Sequence, residues 1–183
     1  MILETIQISQ NATLTAILHG PSEEMQSDSA LRRPAVVICP GGAYEFCSVR
    51  EADAPASAFL NMGLQVFILL YSCGEAAGGK QPLAEAAQSV RLVRERADEW
   101  WIDPQKILLA GHSAGGNLVA AALIKDAEIH RLHPCCALLE YFPVDNTVDP
   151  IDRLSPELRA DPFWVKRAQT EKLYTDFYVG DAD

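Results

Sequence analysis

The sequence is short of positive charge. Against 25 Asp and Glu it sets only 15 Lys and Arg, a formal net charge of −10. Phosphate backbones need a basic face, so nucleic acid is excluded as a partner and a polyanionic substrate is disfavoured. Long apolar runs are missing as well. No stretch approaches the ~20 residues that span a bilayer, so no membrane association is expected. The start, Met1-Ile2-Leu3-Glu4-Thr5, has no basic region followed by an apolar run and does not read as a signal peptide. The five cysteines (Cys39, Cys47, Cys73, Cys135 and Cys136) are odd in number and contain no C-x-x-C pair. Neither a zinc site nor a disulfide framework is expected from them, and a reducing cytoplasm fits best. Cys135 and Cys136, adjacent in an apolar run, read as small buried hydrophobes. No internal repeat or low-complexity tract is present.

What remains is ordinary globular material: 49% hydrophobic and 22% charged over 183 residues, enough for one domain with a real core, residues 1–183. Thr5 to Ile8 and Ala12 to Leu18 alternate with period two around Gln10-Asn11, which predicts an antiparallel hairpin. Pro21 to Arg33 is polar and aperiodic, hence a loop. Continuous apolar runs follow at Ala35–Cys39, Val66–Leu70, Lys106–Ala110 and Ala137–Phe142, as expected of parallel strands buried on both faces. Between them lie helical stretches. Asp53 to Met62 closes at Gly63. Leu83 to Trp101 repeats Leu83, Ala86, Ala87, Val90, Val93, Ala97, Trp100 and Trp101 at helical spacing, with Glu85, Arg91, Arg94, Glu95, Asp98 and Glu99 on the solvent side. Ala114 to Lys125 is a third. Strand and helix alternate, so the fold class is α/β: a mostly parallel sheet with helices on both faces and an N-terminal antiparallel hairpin. From Asp145 the chain is rich in Asp-Pro, Ser-Pro and charge. Phe163, Trp164, Val165, Leu173, Tyr174, Phe177 and Tyr178 there sit near helical spacing, fitting either a lid over a site or a helix that covers the sheet edge.

Two motifs carry chemistry. Gly111-His112-Ser113-Ala114-Gly115 is a Gly-x-Ser-x-Gly set directly after an apolar strand and directly before a helix. That setting holds a serine at a strained turn where only glycines, here Gly111 and Gly115, let strand and helix approach closely. The helix N-terminus then presents free N–H groups to a reacting carbonyl. Ser113 is the candidate nucleophile, whereas His112, in the x position, packs under the turn. Pro40-Gly41-Gly42-Ala43-Tyr44 ends an earlier strand, where open α/β sheets bind ligands. Its turn can aim backbone N–H groups into the same cleft. A tetrahedral intermediate needs two or three such donors, each contributing about 3–4 kcal/mol.

From Ala35 to Tyr141 these residues resemble the α/β-hydrolase fold family, and within it the small bacterial acetyl-esterase and carboxylesterase group related to hormone-sensitive lipase. In that group an HGGG-type loop and a GxSAGG elbow form the site. Here the elbow reads Gly111-His112-Ser113-Ala114-Gly115-Gly116-Asn117. The loop has Pro40 where the family has histidine and Ala43 where it has a third glycine. The resemblance implies Ser113 as nucleophile, the N–H groups of Gly42, Ala43 and Ala114 as oxyanion hole, Gly41 as the residue forming the loop's turn, and no metal or cofactor. The implied activity is hydrolysis of small carboxylic esters, such as acetyl esters, through an acyl-serine.

The same resemblance implies an acid and then a histidine after the serine. The histidines after Ser113 are His130 and His133, both before the strand Ala137–Phe142, at the opposite end of the sheet from the elbow. Asp145 could be an acid placed one strand early, but no histidine follows it. The catalytic base is therefore expected to be absent from these residues, the C-terminal strands to be missing, and the chain to be truncated by roughly 60–100 residues. Such a chain exposes a parallel sheet edge and is expected to dimerise or aggregate through it. Two rivals stand beside the esterase: a serine peptidase of the oligopeptidase type, and a non-catalytic binding domain that keeps the fold.

Overall fold

The structure, a computed structural model, describes residues 1–21, 32–125, 134–140 and 149–179. His130 and His133, set aside above as catalytic bases, and Asp145, weighed as an acid, lie outside the described residues, as does most of the polar loop after Pro21. Strands β1 (Ile2–Gln7) and β2 (Thr13–Leu18) form the expected hairpin, with Gln7 opposite Thr13. Then follow β3 (Arg33–Cys39), α1 (Arg50–Asn61), β4 (Gln65–Leu70), a 3₁₀ segment (Gly74–Lys80) and α2 (Gln81–Glu95). After these come β5 (Ile102–His112), α3 (Ala114–Lys125), β6 (Cys136–Glu140), a short 3₁₀ turn (Pro150–Arg153), α4 (Pro156–Arg159) and α5 (Pro162–Val179).

The six strands make one sheet in the order β1-β2-β4-β3-β5-β6. The hairpin joins β4 antiparallel, while β4, β3, β5 and β6 run parallel. Alternation along the central strands explains why their runs are apolar throughout. Val37 and Cys39 of β3 join Phe67, Leu69, Ile107 and Leu109 in a core packed against Val90 and Val93 of α2 and Leu118 and Val119 of α3. Val36 and Ile38 face the other way and join Val66, Ile68 and Ala110 beneath Ala52 and Ala56 of α1. Helices thus cover both faces, as the strand–helix alternation requires.

Three expectations need correction. The helix predicted over Leu83–Trp101 stops at Glu95. Beyond it the chain turns, with Ile102 N donating to Ala97 O at 2.8 Å and Trp101 at φ +56°. Ala97 and Trp100 stay buried because the turn itself packs, Trp100 lying 5.0 Å from Phe67, so the apolar period outlasts the helix. Glu85, expected in solvent, is only 1% exposed. Its carboxylate accepts from Ser9 Oγ at 2.6 Å, Ser72 Oγ at 2.5 Å and Ser72 N at 2.8 Å. Donors from other elements satisfy it there, as a buried polar group requires. Cys135 and Cys136, expected to be buried, are exposed. Among the described residues β6 has a strand on one side only, and its chain reads exposed at four of five positions.

Candidate active site

The parallel strands β3, β4 and β5 deliver their C-terminal ends to one edge, and two backbone turns meet there. β5 runs to His112 and α3 starts at Ala114, leaving Ser113 alone between them. Ser113 adopts φ +52°, which a residue with a Cβ reaches at a cost of about 1–2 kcal/mol. Its neighbours hold it there: Ser113 N donates to Glu140 O at 3.0 Å, and Ser113 O accepts from Asn117 N at 3.1 Å. The flanking glycines are required by contact. A Cβ on Gly111 would lie 2.7 Å from Gly116 Cα, and one on Gly115 would lie 2.5 Å from the Pro40 carbonyl oxygen. The elbow therefore presses directly on the end of β3.

The second turn begins at that point. A Cβ on Gly41 would stand 2.7 Å from Ser113 Cβ and 2.7 Å from His112 O, so the loop after β3 lies against the serine. Gly42, Ala43 and Tyr44 follow at φ +132°, +55° and +58°. Three consecutive positive φ values make this a tight turn, which Ala43 and Tyr44, each with a Cβ, adopt only at a cost. The loop is held by other groups: Glu45 N donates to Gly42 O at 2.9 Å, Ser48 N to Gly41 O at 2.8 Å, and Gly41 N to Glu51 Oε2 at 2.8 Å. Among the described residues, no backbone hydrogen bond outside regular secondary structure uses the N–H of Gly42, Ala43 or Ala114.

Side chains lock the two turns together. Tyr44 is buried and its hydroxyl lies 3.0 Å from Asn117 Oδ1, on the first turns of α3. The Tyr44 carbonyl accepts from Gly74 N at 2.7 Å, and Tyr71, whose ring centroid is 5.9 Å from that of Tyr44, donates its hydroxyl to Pro40 O at 2.6 Å. Burial raises the Tyr71 hydroxyl well above its ordinary pKa, so it stays a proton donor to that carbonyl. Burial likewise pushes the Cys39 thiol, beneath the loop, up to about 12.

A family model described as the alpha/beta hydrolase fold matches residues 36–183. The chain belongs to that family. Among curated relatives of this α/β hydrolase, endo-1,4-beta-xylanase B of Butyrivibrio fibrisolvens is 28% identical over 124 residues, covering 66% of this chain and 19% of that protein. The acetylxylan esterase of Xylanibacter ruminicola is 31% identical over 112 residues, 60% of this chain and 22% of that one. A solved α/β hydrolase enzyme from a Medee basin deep-sea metagenome library superposes with a TM-score of 0.71 at 35% identity, over 79% of this chain and 58% of that chain. The chain thus spans about a fifth of the curated relatives it matches.

In this α/β hydrolase the structure brings Ser113, Gly41, Gly42, Ala43 and Ala114 to one edge, with Gly111 and Gly115 beneath. His112 is buried and directs Nδ1 to Glu140 Oε2 at 3.0 Å. A groove of about 590 Å³ runs beside the elbow along α1, lined in part by Glu51, Phe59, His112, Leu138 and Glu140. Helix α5 packs against the 3₁₀ segment at 74–80, and Arg167 pairs with Glu45 of the loop at 3.0 Å, while Phe163 and Trp164 stay exposed. Among the described residues no helix is long and apolar enough to cross a membrane, and no group of three or more His, Cys, Asp or Glu is placed to hold a metal. Sequence reasoning missed Glu51 and the Tyr44–Asn117 contact. Glu51 leaves no local signal, because its partner is an amide ten residues earlier. Tyr44 and Asn117 sit inside the two motifs, but only the folded register pairs them.

Proposed function

We propose that Ser113 is the nucleophile of a carboxylic ester hydrolase, with the N–H groups of Gly42, Ala43 and Ala114 as its oxyanion hole. The observation that supports this best is the meeting of two strained turns, Ser113 at φ +52° against Gly41 at the head of the positive-φ loop. Ser113 Oγ attacks the ester carbonyl carbon, and the carbonyl oxygen takes the electron pair and is held by the three amides. Collapse expels the alcohol and leaves an acyl-serine, which water hydrolyses. The route uses no metal or cofactor. Among the described residues no side chain is hydrogen-bonded to Ser113 Oγ, so the reading calls for a histidine base and its acid from another segment. The solved relative has length for one, since this chain covers 58% of it.

Small esters with short acyl groups, acetyl first, are the proposed substrates, a choice supported by the relative named acetylxylan esterase. Five free thiols suit a reducing compartment such as the cytoplasm. The one-sided strand β6 is proposed to pair with a second copy of the chain. The test is covalent labelling with a fluorophosphonate and hydrolysis of p-nitrophenyl acetate, beside Ser113→Ala. Labelling at Ser113, absent from the variant, is the expected result, and labelling that survives in Ser113→Ala would sink the assignment.

A further inference from the structure

Behind the loop, two thiols that the ester chemistry does not use are in contact. Cys47 and Cys73, 26 residues apart in sequence, bring their sulfurs to 3.7 Å, and both are partly exposed. The Tyr71 carbonyl oxygen lies 3.6 Å from Cys47 Sγ and 3.4 Å from Cys73 Sγ, so the pair is gathered at one point. Cys47 closes the loop that packs against Ser113 at Gly41, and Cys73 begins the segment whose Gly74 N–H holds Tyr44 O. A disulfide bond is about 2 Å long, and sulfurs already in contact close that gap by modest rotation about the side-chain bonds.

We propose that Cys47 and Cys73 are an oxidation site, at which a small hydroperoxide makes a reversible intramolecular disulfide tying the 42–48 loop to the end of β4. The hydrogen bond to Cys47, with burial, raises the Cys73 thiol well above its ordinary range, so Cys73 holds its proton until its partner sulfur is oxidised. The Cys47 sulfur attacks a peroxide oxygen. A sulfur–oxygen bond forms as the oxygen–oxygen bond breaks, and the departing hydroxide takes the thiol proton as water, or as an alcohol from an organic peroxide. The Cys73 sulfur then attacks the Cys47 sulfenic acid. The sulfur–sulfur bond forms, the sulfur–oxygen bond breaks, and hydroxide leaves with the Cys73 proton as a second water. Two thiols are oxidised and one peroxide is reduced.

The exposed Cys135 and Cys136 would compete, so the experiment uses the full chain carrying Cys135→Ser and Cys136→Ser. It is treated with hydrogen peroxide, then unfolded in urea, alkylated with iodoacetamide and mapped by mass spectrometry, with amide hydrogen exchange of the folded chain followed before and after oxidation. The expected result is a loss of two hydrogens and a cross-linked peptide pair holding Cys47 and Cys73, both reversed by dithiothreitol. Exchange across 44–48 should slow at least threefold in the oxidised form. Adding Cys47→Ser should abolish the cross-link and leave Cys73 alkylatable. Cys47 and Cys73 both still alkylatable, either one advancing to sulfinic acid without a cross-link, or unchanged exchange across the loop would overturn the proposal. None of these readouts depends on turnover at Ser113, so the site stands or falls apart from the esterase reading.

Discussion

Ser113 carries an unfavourable backbone conformation that its own side chain does nothing to offset; its neighbours do. Gly41 illustrates how little room they leave. Gly41→Ala places a Cβ 2.7 Å from both Ser113 Cβ and His112 O and against the Glu51 carboxylate, so something must shift. Its expected cost is about 1–3 kcal/mol by urea denaturation, together with at least a tenfold slower reaction of Ser113 with fluorophosphonate. The Tyr44 hydroxyl is expected to contribute about 1 kcal/mol through Asn117. A double-mutant cycle of Tyr44→Phe and Asn117→Ala should therefore show coupling, and strict additivity would mean that the contact is energetically silent. Cys39 offers a simple check of burial. With its thiol raised to about 12 by burial, it should resist iodoacetamide at neutral pH and react only on unfolding, as read by peptide mass mapping.

At the scale of elements, the join between β4 and α2 rests on Glu85. Its carboxylate gathers Ser9 from the hairpin turn and both the backbone and the hydroxyl of Ser72. Glu85→Ala strands those donors in a buried position and should lower stability by about 2–3 kcal/mol in urea titration, with Glu85→Gln losing less because one acceptor survives. A loss below about 0.5 kcal/mol would show that water reaches Ser72 freely. Glu85 also marks where the sequence stops being readable. On a helical wheel it joins the charged face of α2, and nothing local reveals that Ser9 and Ser72 converge on it. The over-long prediction for α2 has a similar cause: Ala97 and Trp100 keep the helical period because a non-helical turn buries them. By contrast, the Gly111–Gly115 elbow and the Gly41–Gly42 loop were legible, since steric demands confined to a few consecutive residues decide which amino acids fit.

At the scale of the molecule, the continuous apolar runs of β3, β4 and β5 announced a parallel sheet covered on both faces, and the period-two start announced the hairpin. The open parallel edge at β6 follows from the strands expected to be missing after it, but the apolar run around Cys135 and Cys136 reads as buried by itself, whether or not a further strand lies beyond it. Cys135 and Cys136 were misplaced for that reason. With a neighbour on one side only among the described residues, β6 should make the chain associate. Sedimentation velocity is expected to show a mass rising with protein concentration, and a monodisperse monomer would count against pairing through this strand. At the sheet's carboxyl edge two turns from separate strands meet at Ser113, the nucleophile proposed above. The most direct test is peptide mapping after brief exposure of the folded chain to a fluorophosphonate. The account predicts a single adduct, on the peptide bearing Ser113, lost in Ser113→Ala; an adduct distributed over other serines, with Ser113 unmodified, would contradict it.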